Sequence, residues 1–190
     1  MPIRFVTTGA TFTSAGTTSS AFKIPDFYYT PTTVGYYIEG TDLSDQLWGS
    51  NLGDHIHGLN GNDMLYGQGG NDSIFGEDGN DTVRADGGDD MVYGGNGNDQ
   101  VWGGWGNDRL FGEAGNDWLS GEDGYDTLNG GTGNDSMYGG NHNDFFEAFD
   151  DQWDLIDGGA GTDRAHCDKR PWYAQWQTQD SLYSIESSYE

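Results

Sequence analysis

Positive charge is what this sequence has least of. Seven Lys and Arg stand against 32 Asp and Glu in 190 residues, a formal charge of -25, and between residues 40 and 147 only Arg84 and Arg109 are basic. Such a chain repels phosphate backbones and anionic headgroups, which excludes nucleic acid and membrane surfaces as partners. A single cysteine, Cys167, excludes an intramolecular disulfide, so stability has to come from something other than cross-links. No apolar run has the length of a membrane span, so membrane insertion is not expected, and neither is export by the general secretory route, since no basic segment followed by an apolar stretch is seen. Catalytic signatures are missing too. There is no G-x-S-x-G, H-E-x-x-H, phosphate loop or C-x-x-C, and the expectation is a protein that is not an enzyme.

What is present is glycine and aspartate in a period of nine. From Gly40 to Glu147 the chain repeats G-x-x-G-N-D-x-U-x, with U apolar, as in GLNGNDMLY from Gly58, GGNGNDQVW from Gly94 and GGTGNDSMY from Gly130. The sixth position is always Asp: Asp45, Asp54, Asp63, Asp72, Asp81, Asp90, Asp99, Asp108, Asp117, Asp126, Asp135 and Asp144. The eighth is always apolar, from Leu47 and Ile56 through Val101 and Leu110 to Phe146. A unit of nine residues cannot bury itself and is stable only when stacked on its neighbours, so the expectation is an all-β solenoid. Glycines at the first and fourth positions bracket a turn, and the last three residues alternate as a short strand, one side chain inward and two outward. On this reading six residues turn and three run straight. Successive units reverse direction, and each lies above the next but one.

Stacking creates an electrostatic problem. Asp63, Asp81 and Asp99 fall on one edge and Asp72, Asp90 and Asp108 on the other, and bare carboxylates about 5 Å apart repel by roughly 3 kcal/mol per pair at an effective dielectric near 20. The chain holds too few cations of its own to neutralise them. Carboxylates with turn carbonyls are hard oxygen donors, without sulfur or regular imidazole, and the ion they select is Ca²⁺ and not Zn²⁺. One apolar side chain per unit cannot offset the ordering of so glycine-rich a backbone, so folding is expected to be the metal-binding reaction.

These residues resemble the RTX, or hemolysin-type, calcium-binding nonapeptide repeat. The match runs over residues 40–147 and continues, after a one-residue insertion in Ala148 to Asp157, into Gly158 to His166, where Asp154 and Asp163 take the sixth position. The resemblance implies a right-handed parallel β-roll in which each Ca²⁺ lies between a turn and the next turn on its edge. The Asp of both turns would hold it, with the carbonyls of positions two and four of the first turn and one and three of the second. On one edge the carbonyls would be Leu59, Gly61, Gly76 and Asp78; then Glu77, Gly79, Gly94 and Asn96; Gly95, Gly97, Gly112 and Ala114; and Glu113, Gly115, Gly130 and Thr132. On the other they would be Gln68, Gly70, Ala85 and Gly87; Asp86, Gly88, Gly103 and Trp105; Gly104, Gly106, Gly121 and Asp123; and Glu122, Gly124, Gly139 and Asn141. The opening units GTDLSDQLW and GSNLGDHIH lack the second glycine and read as degenerate capping units, His142 replaces a turn glycine, and the unit of Asp154 has lost its glycines.

The ends differ in composition. Residues 1–39 are rich in Thr, Ser and aromatics, with β-prone runs at Phe5-Val6-Thr7, Ala21 to Ile24, Phe27 to Tyr29 and Tyr36 to Ile38, and read as an N-terminal β cap or a small partner surface. Residues 167–190, with Trp172, Tyr173, Trp176, Tyr183 and Tyr189, read as a C-terminal cap or a sugar-stacking surface, and Arg164, Lys169 and Arg170 form the one basic cluster. The roll proper spans 40–166. His55 and His57 occupy variable outward positions and read as surface residues.

Two functions are open at this stage. The first is a secreted, non-enzymatic calcium-binding protein that folds on meeting extracellular Ca²⁺ and serves as an adhesive, matrix or surface component. The resemblance implies type I secretion of the unfolded chain, read from an uncleaved C-terminal signal, and Ser181 to Glu190 is short and not typical of one. The second is a polysaccharide-binding accessory module resembling the R-modules of alginate epimerases, with Tyr66, Phe75, Tyr93, Trp102, Phe111 and Tyr138, all at position nine, as an exposed aromatic stripe.

Overall fold

A computed structural model describes residues 35–150 and 152–167 in full, and the strands Arg4–Val6, Ser20–Phe22, Ser181–Tyr183 and Ile185–Tyr189 by their backbone. The expected strand at Phe27 to Tyr29, the aromatics Trp172, Tyr173 and Trp176, and Lys169 and Arg170 lie outside the described residues.

The chain winds into two parallel sheets that share the strands alternately. One sheet runs Arg4–Val6, Tyr37–Glu39, His55–Asn60, Ser73–Asp78, Met91–Asn96, Arg109–Ala114, Thr127–Thr132, Phe145–Ala148, Asp163–Cys167, Ile185–Tyr189. The other runs Ser20–Phe22, Asp45–Trp48, Met64–Tyr66, Thr82–Gly87, Gln100–Trp105, Trp118–Asp123, Ser136–Asn141, Leu155–Ala160, Ser181–Tyr183. Every strand thus pairs with the strand next but one in sequence, and the register offset is one coil: Gln100 lies over Thr82 and under Trp118. The architecture is an all-β parallel β-roll. Among the described residues there is no helix, hence none long and apolar enough to cross a membrane.

The core is a single file of position-eight side chains, fed by the two sheets in turn. Leu65, Ile74, Val83, Val92, Val101, Leu110, Leu119 and Leu128 are completely buried, and the file runs on through Met137, Phe146 and Ile156 to Ala165. The one-residue insertion does not break it, because Phe146 pairs with Ala165 and Met137 with Ile156 in continuous register.

The division of each unit differs from the expectation. Most strands are six residues long, as in Gln100–Trp105, so the straight run takes in positions seven to nine and one to three, and only the G-N-D triplet turns. The extension is possible because position two adopts a left-handed backbone without breaking the ladder: φ is 77° at Leu59, 76° at Glu77, 74° at Glu113 and 114° at Gly95. Single residues there cost on the order of 1–2 kcal/mol when they carry a Cβ, so a partner for the loop has to compensate. Position four is where glycine is required. A methyl group on Gly97, whose φ is 138°, would lie 1.6 Å from the carbonyl oxygen of Gly79 in the coil below.

Candidate metal centres

The turns carry the aspartates into the edges of the roll. All fourteen, from Asp45 to Asp163, are between 0 and 4% exposed, which for a carboxylate demands partners. One oxygen has them. From Asp45 to Asp144 each Asp backbone amide donates to Oδ1 of the Asp one coil above, as in Asp63 to Asp81, Asp81 to Asp99 and Asp99 to Asp117, all at 2.8 Å. The other oxygen does not. Oδ2 of Asp63, Asp72, Asp81, Asp90, Asp99, Asp108, Asp117, Asp126, Asp135 and Asp144 is buried with no hydrogen-bond partner.

Their protonation reflects this. Burial pushes Asp72 and Asp126 up to about 8, and Asp63, Asp90, Asp99, Asp117 and Asp144 up to about 7. Asp81, Asp108 and Asp135 rise to about 6. Loss of water is the main cause, the amide from below works against it, and for most of the ladder repulsion between stacked carboxylates adds to the rise.

Carbonyls surround the orphaned oxygens. In the gap between the turn starting at Gly76 and that starting at Gly94, a methyl group on Gly76 would lie 2.4 Å from Asp81 Oδ2 and 2.3 Å from the Gly94 carbonyl oxygen. The Glu77 carbonyl faces the same gap, 2.0 Å from where a Gly95 methyl would stand, as does the Gly79 carbonyl beneath Gly97. The Asn96 carbonyl points down to accept from Gly79 N–H at 2.8 Å. Glu77, Gly79, Asp81, Gly94, Asn96 and Asp99, the set expected for one ion, are therefore brought to one gap. The arrangement recurs on both edges: Gly70, Asp72 and Ala85 on the second edge correspond to Gly79, Asp81 and Gly94, and Gly88, Asp90 and Gly103 follow above them. Among the described residues no three His, Cys, Asp or Glu side chains converge on a point. Any ion in these gaps would have to draw most of its donors from the backbone, and an all-oxygen set with stacked carboxylates fits a hard divalent cation. Bound there, calcium would supply the positive charge that the orphaned oxygens lack.

The first two units are different, and the reason is a side chain at position two. Asp45 Oδ2 accepts from Thr41 N–H at 2.6 Å and from Thr41 Oγ1 at 2.8 Å. Asp54 Oδ2 accepts from Ser50 N–H at 2.5 Å, and Asp54 Oδ1 from Tyr36 N–H. Thr and Ser at this position cap the carboxylates internally, so these two gaps have no orphan to fill. The signal was in the sequence, since no later unit has a hydroxyl residue there.

At the far end the set of facing carbonyls runs beyond the positions expected from the sequence. Asp154, in a unit without turn glycines, still joins the ladder by accepting from Asp135 N–H at 2.9 Å, and Asp163 accepts from Asp144 N–H at 2.8 Å. The gap above Asp144 is complete despite His142. His142 takes a φ of 83°, its N–H donates to the Ala160 carbonyl at 2.7 Å, and the Gly158 carbonyl lies 2.7 Å from where a Gly139 methyl would stand. Gly140, His142, Gly158 and Ala160 thus join the expected positions.

The aromatic stripe needs correction. The six position-nine rings divide between the sheets and are half-buried, because rings one coil apart stack on one another. Phe75 lies on Tyr93 with centroids 5.1 Å apart and Tyr93 on Phe111 at 4.8 Å, so their faces are covered. On the other sheet Arg84 interrupts the row and sits over Trp102 at 4.7 Å, while Trp102 and Tyr138 meet through Trp118. His57 belongs to the first stack, 4.6 Å from Phe75, with Nδ1 2.8 Å from Glu77 Oε1, whereas His55 is exposed.

A comparison with protein families matches this chain to the model of the RTX calcium-binding nonapeptide repeat, over residues 39–74, 48–83, 75–110, 84–119, 102–131 and 120–148, together more than half of the chain. A comparison with curated proteins gives no match.

Proposed function

Because the chain belongs to the RTX calcium-binding nonapeptide-repeat family and is a calcium-binding repeat protein, we propose that its role is to fold outside the cell on contact with calcium and act there as a non-enzymatic adhesive, matrix or surface component. The observation that carries this reading is the row of ten buried Oδ2 atoms, from Asp63 to Asp144, with no hydrogen-bond partner. A carboxylate left unpaired in the interior is costly, and among the described residues from 40 to 147 only Arg84 and Arg109 are basic. The backbone donates to one oxygen of each Asp and turns carbonyls toward the other, so the chain's own contribution is to space the donors and to exclude water.

Exterior action follows from affinity. Oxygen sites of the extracellular kind fill at about 0.1–1 mM calcium, well above cytosolic levels, so a cell could hold the chain unfolded and export it in that form. The test is circular dichroism during a calcium titration of metal-free protein at neutral pH. A cooperative gain of β signal in the sub-millimolar to millimolar range is expected, with Mg²⁺ ineffective because it demands smaller octahedral sites. An equal response to Mg²⁺ would remove the basis for the proposal.

A further inference from the structure

Three asparagines precede glycine, in Asn60-Gly61, Asn96-Gly97 and Asn129-Gly130, and every other Asn precedes Leu, Asp or His. The distinction is chemical. Glycine has no Cβ to keep its amide nitrogen from the side-chain carbonyl of the residue before it, so an unfolded Asn-Gly step closes on itself more readily than an asparagine followed by a bulkier residue. The Gly nitrogen, its proton taken by water or hydroxide, bonds to Asn Cγ, while the Cγ–Nδ2 bond breaks and ammonia leaves. Water then opens the cyclic imide at one carbonyl or the other, giving aspartate or isoaspartate.

The fold holds all three steps out of that geometry. Asn60 Nδ2 donates to Asp42 Oδ1 and Asn96 Nδ2 to Asp78 Oδ1, both at 2.7 Å, and Asn129 Nδ2 donates to Glu147 Oε2 at 3.0 Å. The attacking nitrogens are engaged as well. Gly61 N–H donates to the Asp78 carbonyl at 2.8 Å and Gly97 N–H to the Ala114 carbonyl at 2.7 Å, while Gly130 is buried within the strand Thr127–Thr132. Asn60 and Asn96 are exposed to solvent, so their protection comes from these hydrogen bonds and the extended backbone alone. Each product fits the roll badly. An aspartate in place of any of the three would set a carboxylate against the one that the amide now bonds, and like charges facing across a sheet destabilise it. Isoaspartate in place of Asn96 adds a backbone atom next to Gly97, where even a methyl group would lie 1.6 Å from the Gly79 carbonyl oxygen.

Resting on the calcium reading above, we propose that Asn60, Asn96 and Asn129 are self-modification sites of the metal-free chain, which calcium-driven folding closes. A chain that folds promptly keeps its three amides. One held without calcium loses them irreversibly, so the time spent unfolded limits how much of the roll can still form. Reaction through an opened form proceeds in proportion to the population of that form, and the rate at each step in calcium therefore reports how rarely its coil opens.

Peptide mapping by mass spectrometry of the full chain, aged at pH 8 in calcium and in chelator, tests this. Deamidation in chelator is expected at the three Asn-Gly steps well ahead of Asn98, which precedes Asp99, and at each of the three it should be at least about tenfold slower in calcium. Equal rates in the two solutions, or no preference for the Asn-Gly steps in chelator, would overturn the proposal. Refolding supplies a second reading. Protein aged in chelator and returned to calcium should regain less of its β spectrum the longer it has aged. The triple variant Asn60→Gln, Asn96→Gln, Asn129→Gln keeps an amide at each position but closes the larger ring slowly, and should hold its recovery over the same ageing. Full recovery by a native chain whose three steps have converted, or the same loss in the variant, would overturn the proposal. Should the variant not fold when fresh, the mapping and the recovery of the native chain decide. Failure of the calcium reading itself would show in fresh protein, as a β spectrum unchanged between calcium and chelator; urea then replaces the chelator, and the same comparison of rates decides whether the fold protects the three steps.

Discussion

Acid should fold this protein when calcium is withheld. Ten aspartates of the ladder, Asp63 to Asp144, have carboxyls raised from 3.8 to between about 6 and about 8. For Asp99, raised to about 7, ionisation in the metal-free coil costs roughly 4 kcal/mol relative to the unfolded chain. Four such groups, about 16 kcal/mol together, already exceed the 5–15 kcal/mol by which a typical domain is stable, so at pH 8 the metal-free roll is expected to be unfolded. Each carboxyl holds its proton more tightly folded than unfolded. The contribution is therefore fully present below about pH 4, near the unfolded value of 3.8, and is lost as the pH rises through the folded values of about 6 to 8. Far-ultraviolet circular dichroism and tryptophan emission of dialysed, metal-free protein between pH 8 and pH 4 will follow the transition, and a dilution series will separate folding from association. A β spectrum that grows on acidification and fades on return to pH 8 is expected. A metal-free chain already folded at pH 8 would refute the reasoning, as would one that stays unfolded at pH 4 while folding normally with calcium.

Two further predictions concern single residues. Asp99→Asn keeps an oxygen for the Asp81 amide but removes charge from the two gaps that Asp99 borders, and should raise the calcium midpoint at least about tenfold, equivalent to about 1.4 kcal/mol. Asp45→Asn, at a carboxylate already satisfied by Thr41, should shift it far less in the same titration, and equal shifts would argue against ion sites that begin above the Thr41 and Ser50 caps. Gly97→Ala drives a methyl into the Gly79 carbonyl at a φ of 138° and should cost about 3 kcal/mol or more, read as loss of thermal stability in saturating calcium. Gly87→Ala, whose methyl would meet nothing closer than 3.8 Å, should change stability by less than about 1 kcal/mol.

The architecture and the Asp ladder were legible because they depend on spacing alone. An aspartate every nine residues with an apolar residue two places later forces the same stacking whatever the variable positions hold. That is why Asp154 keeps its place in a unit that has lost its turn glycines. Less legible was anything that depends on backbone direction. Position two is left-handed at Leu59, Gln68, Glu77 and Glu113, residues with no preference for that region, so it was read as turn and proved to be strand. The internal caps of Asp45 and Asp54 are a matter of hydroxyl geometry, which the missing glycines of those units only hinted at. The stacking of Phe75, Tyr93 and Phe111 follows from parallel register, which places like positions over one another and covers the ring faces that a stripe would have offered.

Anomalous difference density at a wavelength where calcium scatters strongly, from crystals grown in excess calcium, is the measurement that bears most directly on the orphaned oxygens. Two rows of peaks are expected, one along each edge, each peak beside the Oδ2 atoms from Asp63 to Asp144, with none beside the Thr41-capped Asp45. Density absent from those gaps in a roll folded as described would contradict the account.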